Sequence, residues 1–368
     1  MGRVNRGTGV NLPGLRGHNA ALVLDLLRGA GAGGLGRGEL AGRTGLTPQA
    51  VSKITARLRA EGLVAEAGRG ESTGGKPRTL LRLVPEAGHA VGVHLDRDGL
   101  RAVRVDLAGR VVAEFRSGLD FGAGPEVVVE EVVRAVREVR VRAVPCAGGG
   151  SGSAVLGVGV AAPGPLDRRT GVLGRVTGFP DWQGYGLRDA LEARLGLRVE
   201  LDKDTHAGAA AAGWAGPGAG VYLHLGTGLG AGLWLDGAVY RGGREGRSGA
   251  GEFGHQVLLL DGPPCRCGAR GCVEVLCLAA VARGDAAEAA RILGEAAANL
   301  VALLDVERVL LGGRVVAESP GVFLAGVGAV LRERAGGMGA GAAEVGLAGG
   351  GVAEGAAELI LAPLFGHT

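Results

Sequence analysis

The chain has 368 residues, with 46% hydrophobic and 21% charged side chains and a formal net charge of +3. Such a length accommodates two or more domains of about 100–200 residues, and the hydrophobic content supports packed cores rather than disorder. No apolar run reaches the ~18 residues of a membrane span and the N-terminus lacks a signal-type apolar stretch, so a cytoplasmic protein with no membrane partner is expected.

The charge is uneven. Residues 1–83 carry 13 Lys and Arg against 5 Asp and Glu, while the remainder carries 27 against 32. A basic first quarter on an acidic body points to a nucleic-acid module joined to a second function; a solvated basic tail is the plainer alternative. Residues 1–17, rich in Gly and Arg and without periodicity, are expected to form a flexible arm. From Asn19, the apolar run Leu22, Val23, Leu24, Leu26 and Leu27 predicts a helix ending at the glycines of 29–34. A short second helix fits Arg37–Thr44, with Leu40 and Ala41 inward and Gly45 as its stop. Thr47-Pro48 supplies the N-cap and first position of a third helix reaching about Glu61.

In that third helix Val51, Ile54 and Leu58 fall at i, i+3 and i+7 and pack inward. Gln49, Ser52, Lys53 and Arg57 lie outside the stripe and are free to face DNA. Downstream, Leu63-Val64 and Thr79–Val84 suggest two strands around the polar loop Gly68–Arg78. Helix, turn, helix, then hairpin is the order of a winged helix-turn-helix, here expected over residues 18–85. Arg69, Lys76 and Arg78 in the wing can reach phosphates or a minor groove. The predicted DNA-binding set is Thr47, Gln49, Ser52, Lys53, Arg57, Lys76 and Arg78. A small helical bundle with an incidental basic loop remains the other possibility.

Residues 86–368 carry an α/β pattern. Val91–Leu95 and Arg101–Asp106 resemble paired strands, followed by a further apolar run. Glu126–Arg142 is a predicted helix, Ala143–Ser153 an exposed loop, Val155–Ala161 a buried strand and Leu187–Leu195 a helix. Strands at Val199–Leu201 and Tyr222–Leu225 deliver Asp204 and the glycine-rich segment Gly226–Gly232 to their ends, where α/β folds place ligand sites. Those glycines can bring backbone N–H groups close to an anion, or can simply permit tight packing.

The densest constellation is Glu252-Phe253-Gly254-His255 followed by Cys265-Arg266-Cys267-Gly268-Ala269-Arg270-Gly271-Cys272-Val273-Glu274. Three thiolates and an imidazole make a closed tetrahedral site for Zn2+, predicted as one structural ion per chain on His255, Cys265, Cys267 and Cys272. A disulfide framework conflicts with the expected cytosolic setting. Cys146 and Cys277 remain as ordinary thiols.

These motifs, with Asp204, the Gly226–Gly232 segment, Leu311-Gly312-Gly313 and the wing stretch Gly74-Gly75-Lys76-Pro77-Arg78, resemble the ROK family of repressors and sugar kinases. The resemblance covers about residue 18 to the C-terminus. It implies an actin-like, two-lobed sugar-kinase fold behind the winged helix-turn-helix, with the metal loop at 255–272 and a sugar in the cleft. It further implies that Asp204, Glu252, His255 and Glu274 contact the ligand, with His255 also holding the metal. Carboxylates and imidazole suit a polyol, and zinc on one ring nitrogen fixes the tautomer of the other.

Three departures shape the functional expectation. Family kinases and many repressors carry Asn where Gly178 stands, and the usual Asn-Asp-x-Asn is here Lys203-Asp204-Thr205-His206. A phosphorylated or acidic sugar, or no sugar, then enters as a possible ligand. The Asp-x-Gly-x-Thr turn of the kinases becomes His94-Leu95-Asp96-Arg97-Asp98-Gly99, with carboxylates where phosphate should rest. At ~4 Å a like-charge pair costs about 4 kcal/mol at an effective dielectric of 20. The expected protein is a sugar-responsive repressor without enzyme activity or catalytic residues, binding operator DNA as a homodimer or homotetramer. An ATP-dependent sugar kinase with an appended DNA-binding domain is one alternative, and a regulator with a decayed cleft is another.

Overall fold

The structure is a computed structural model and describes residues 12–69, 78–141, 155–213, 218–243, 250–338 and 341–367. Helix α1 (Leu12–Ala30) begins inside the segment expected to be an arm; only residues 1–11 of that arm lie outside the description. A two-residue strand β1 (Leu35–Gly36) leads into α2 (Arg37–Thr44), which stops on Gly45 at φ +70°, its N–H returning to the Ala41 carbonyl. Helix α3 (Pro48–Ala60) starts where Thr47 Oγ1 accepts from the Ala50 N–H at 3.2 Å. Val51, Thr55 and Leu58 are buried and Ile54 half-buried, whereas Thr47, Gln49, Ser52, Lys53 and Arg57 are exposed. Strands β2 (Val64–Arg69) and β3 (Thr79–Leu83) pair antiparallel, with β1 on the other edge of β3. Arg78 is exposed; Lys76 lies outside the described residues.

The body repeats one topology twice. Its first lobe runs β4 (His89–Leu95), β5 (Gly99–Asp106), β6 (Val111–Gly118), α4 (Pro125–Val141), β7 (Val155–Ala162), the hairpin β8 (Leu166–Asp167) and β9 (Val172–Leu173), α5 (Leu187–Leu195) and β10 (Val199–Lys203). Its sheet has the order β10-β7-β4-β5-β6: an antiparallel meander of the first three strands, then two parallel strands. Helix α6 (Asp204–Gly213) passes to the second lobe. There follow β11 (Gly220–Leu225), β12 (Leu229–Leu235), β13 (Ala238–Tyr240), α7 (Val273–Ala282), α8 (Ala286–Leu304), β14 (Arg308–Gly312), α9 (Arg314–Glu318), α10 (Pro320–Met338) and β15 (Glu344–Leu347). The order β13-β12-β11-β14-β15 repeats the first permutation, with β14 and β15 parallel. This is the two-lobed actin-like architecture. The predicted loop 143–153 lies outside the described residues.

Helix α11 (Val352–Leu361) returns the chain to the first lobe. It lies so close to the sheet that a Cβ on Gly92 would sit 1.9 Å from the Ala353 carbonyl oxygen, and one on Gly159 1.7 Å from that of Ala356. Only glycine fits beneath it. On its other flank, Val23, Leu27, Leu58 and Leu81 of the N-terminal module share one buried cluster with Val103, Val105, Ala357, Leu361 and Phe365. Module and body are therefore joined through a common apolar core. Among the described residues, no helix is long and apolar enough to cross a membrane.

Candidate functional site

A cleft opens between the lobes where strands of both sheets end. Its walls come from the β4–β5 turn, the chain after β7, the β10–α6 junction, the β11–β12 turn, the short helical turn Phe253–His255 and the first turn of α7. Asp204, Glu252, His255 and Glu274, far apart in sequence, all line one cavity of about 80 Å3. The glycine-rich segment is a turn only over residues 226–228; Leu229 already begins β12. Gly232 serves packing instead, since a Cβ there would lie 2.0 Å from the Thr205 carbonyl of α6. The tight-packing alternative thus holds for the second half of that segment.

Each acid is held differently. Asp204 Oδ1 accepts from the Thr205 N–H at 2.6 Å, and burial raises its carboxyl pKa, against the opposing charges of Lys203 and His224. Glu274 Oε2 accepts from the Leu229 N–H at 2.9 Å. Glu252 Oε1 meets the Lys203 ammonium at 2.5 Å, and its Oε2 lies 3.9 Å from His255 Nε2. Lys203, only 6% exposed along its side chain, also donates to the Ala250 carbonyl at 3.2 Å. His206, expected to alter the ligand's surroundings, is instead fully buried with Nδ1 3.1 Å from Asp202. The third residue of α6, it is not among the residues that line the cleft, and Asp202 also accepts from Arg241 Nε at 2.7 Å. Burial would raise the Asp202 carboxyl, but His206 and Arg241 hold it down to about 2.

The turn after β4 is braced across the cleft. Asp96 Oδ1 accepts from Thr227 Oγ1 at 2.6 Å and from the Arg97 N–H at 2.7 Å. Burial alone would raise the Asp96 carboxyl; the Thr227 hydroxyl and His94 bring it below the usual value. Asp98 pairs with Arg314 at 2.6 Å. His94 packs edge-on against His224 at 5.7 Å, and burial, then His224, depress its pKa to about 3, so its ring is neutral.

Beside the cleft, His255 Nδ1 is 3.7 Å from Cys265 Sγ, and Cys267 and Cys272 Sγ are 3.7 Å apart. All four ligand atoms lie within 4.8 Å of one another, so this group could hold a metal ion. Short backbone bridges Val257–Cys272 and Pro264–Arg270 fold the loop that gathers them. Nδ1 faces the thiols while Nε2 faces Glu252, so His255 stands between the cysteine group and the cleft. Cys277 is buried under α8, and burial raises its thiol to about 12, as fits an inert thiol. Cys146 lies outside the described residues.

Sequence reasoning found the four cleft residues but missed their partners. The Lys203–Glu252 pair spans two lobes and leaves no local spacing; Lys203 stood out only as one of three lysines in the chain. The Asp96–Thr227 and Asp98–Arg314 contacts were equally invisible, because 131 and 216 residues separate their members.

Comparison with known proteins agrees with this geometry. The ROK family pattern matches residues 147–284, which include most of the cleft lining and the cysteine loop. The xylose repressor of Bacillus spizizenii is 27% identical over 242 residues, covering 66% of this chain and 61% of that protein. The chain spans about three-fifths of the length of the curated relatives it matches first. A crystal structure of a ROK family transcriptional regulator, a homolog of the E. coli MLC protein, superposes with a TM-score of 0.74 at 21% identity. It covers 95% of this chain and 97% of its own, and establishes the fold. The ROK hexokinase of Thermus thermophilus matches at a TM-score of 0.56 and 29% identity, over 73% of this chain and 96% of its own. Motifs, two-lobed topology and matched region converge: residues 147–284 carry a ROK family domain.

Proposed function

We propose that this protein is a DNA-binding transcriptional regulator, a repressor of carbohydrate genes, whose operator affinity responds to a sugar or sugar derivative in the cleft. The observation that carries the proposal is the exposed polar face of α3. Thr47, Gln49, Ser52, Lys53 and Arg57 stand clear of the core on a capped helix that follows α2 through a glycine turn. That is the geometry of a recognition helix, with residues 18–85 as a winged helix-turn-helix and 86–368 as the ligand-binding and oligomerisation domain. Relatives named xylose repressor and the E. coli regulator NagC support the same reading. A homodimer or homotetramer on a pseudo-palindromic operator follows from the symmetry of such readers.

Coupling runs along α11. Its first turn holds Glu354, which makes a bidentate pair with Arg101 at 2.5 and 2.7 Å, beside a second pocket that shares Asp96 and His224 with the cleft. Its last turns carry Glu358 against Arg28 of α1, whose guanidinium also lies 4.5 Å over the Phe365 ring. A ligand that shifts the lobes can tilt this helix and the module docked on it; such coupling is typically worth ~1–3 kcal/mol.

The metal reading is one structural Zn2+ per chain on His255, Cys265, Cys267 and Cys272. Zinc–sulfur bonds of about 2.3 Å set tetrahedral sulfur separations near 3.8 Å, which the 3.7 Å Cys267–Cys272 spacing matches. When bound, the ion supplies no reaction chemistry; it fixes the loop and leaves His255 Nε2 to face the ligand.

Kinase activity is the second reading, and the braced turn speaks against it. At the turn that replaces the kinases' Asp-x-Gly-x-Thr, Asp96 keeps its carboxylate, accepting from the Thr227 hydroxyl, and Asp98 is paired with Arg314. The deciding experiment titrates sugars into labelled promoter fragments with the purified chain, alongside an ATP-turnover assay. Sugar-dependent operator release without turnover supports repression; turnover abolished by Asp204→Asn would establish the kinase.

A further inference from the structure

The three thiols of the cysteine group are not held alike. Cys267 is exposed, Cys265 half-buried and Cys272 buried. Cys272 sits on a fixed base: it is the N-cap of α7, and its backbone bridges to Val257. Its neighbour Gly271 is pressed against the same strand of chain, where a Cβ would lie 1.7 Å from the Leu259 carbonyl oxygen. The other end of the loop is open. At Gly268, φ +97°, a Cβ would meet nothing within 4 Å. An exposed thiol on an open tip thus stands 3.7 Å from a buried thiol on an anchored one. Arg266 and Arg270, both exposed, flank Cys267, and no acid lies between Cys265 and Cys272. A partly exposed, electropositive setting is the one in which a cysteine sulfur reacts.

The other thiols compete poorly for Cys267. Cys265 has His255 Nδ1 at 3.7 Å, and a single residue separates it from Cys267, too short a link for an unstrained disulfide dihedral. Cys277 is buried, with its sulfur directed at the Ala289 carbonyl of α8.

Resting on the zinc reading above, we infer that Cys267 and Cys272 are a peroxide-sensitive pair whose oxidation to a disulfide ejects the metal. The Cys267 sulfur attacks hydrogen peroxide: an S–O bond forms, the O–O bond breaks and hydroxide leaves. The Cys272 sulfur then attacks the Cys267 sulfenic acid, forming the S–S bond as the S–O bond breaks and a second hydroxide leaves. Two thiolates give up two electrons, the peroxide takes them, and two solvent protons complete two waters. The sulfurs close from 3.7 Å to about 2.05 Å, a movement that the open tip at Gly268 accommodates. His255 and Cys265 then remain as the only protein ligands, too few for a closed tetrahedral site.

The test treats the full chain with hydrogen peroxide, follows zinc release with a chromogenic chelator and maps the thiols by tryptic mass spectrometry. Trypsin cuts after Arg266 and Arg270, which places Cys265, Cys267 and Cys272 on separate peptides. Zinc release is expected in step with a Cys267–Cys272 crosslink, and a thiol reductant with added zinc should reverse both. Cys265→Ser should keep the crosslink, and Cys277→Ala should behave as the unaltered chain. Cys272→Ala should leave Cys267 as a sulfenic acid that dimedone labels. Zinc retained under peroxide, or a crosslink through Cys265 or Cys277 instead, overturns the inference and leaves the metal reading standing. A chain that holds no zinc before treatment overturns the metal reading and the ejection together.

Discussion

Arg28 on α1 and Glu358 on α11 form a two-pronged ion pair at the junction of the basic module and the body, with side chains only 14% and 11% exposed. Glu358 is the one charged residue among the buried positions of α11, so the pair marks where the two parts were fitted together.

Removing one partner of such a pair leaves an uncompensated charge and costs about 3–5 kcal/mol. Glu358→Ala should therefore lower the urea midpoint markedly. The joint change Arg28→Met with Glu358→Leu should recover much of the stability. In both, ligand binding by calorimetry should persist while ligand-dependent release of operator is weakened. Full ligand response in the single variant would place the coupling elsewhere.

On α3, Lys53→Ala should weaken operator binding and reduce the salt slope by about 0.9 if it neutralises one phosphate. Arg57→Ala should do so less, because Arg57 already shares Glu61 at 3.7 Å. Gln49→Ala and Ser52→Ala should instead relax base preference at individual operator positions at unchanged salt slope. Deleting residues 1–83 should abolish specific binding; retained affinity would refute the assignment.

Metal analysis of chelator-washed protein should find one zinc per chain. Cys267→Ser should lose the ion and loosen the loop leading to Glu274, so metal content and ligand response fall together. Full ligand response with zinc absent would separate the two sites.

Asp202 is buried between His206 and Arg241, and its pKa is lowered from 3.8 to about 2. A carboxyl depressed in the folded state stabilises the protein above its unfolded pKa, and that contribution fades as pH falls from about 4 toward 2. Asp202→Asn should cost about 3–5 kcal/mol at neutral pH, by leaving Arg241 without its counter-charge. It should also flatten the loss of stability between pH 4 and 2, as read from denaturant midpoints.

The site was legible in part. Cys265, Cys267 and Cys272 declare themselves because a closed metal loop needs its ligands within a few residues of one another, and the structure gathers them with His255. Asp204, Glu252 and Glu274 were legible through the family's motifs. His206 was misplaced because adjacency to Asp204 in sequence says nothing about direction on a helix: two residues on, the side chain points to the other face.

By itself the sequence determined what is local. Gly45, Thr47 and Pro48 fixed the ends of α2 and α3 through backbone conformation and cap hydrogen bonds, and the apolar stripe of α3 chose which side chains stay exposed. Strands such as Val155–Ala162 were readable from their apolar run. Only the tertiary structure decided what is non-local: that the lobes repeat one strand order, that Asp96 reaches Thr227, that Lys203 occupies Glu252, and that Glu358 of α11 pairs with Arg28 of α1. Those contacts join residues dozens to hundreds of positions apart. Their energy depends on burial and approach, which the packing of two sheets and α11 creates and no spacing along the chain encodes.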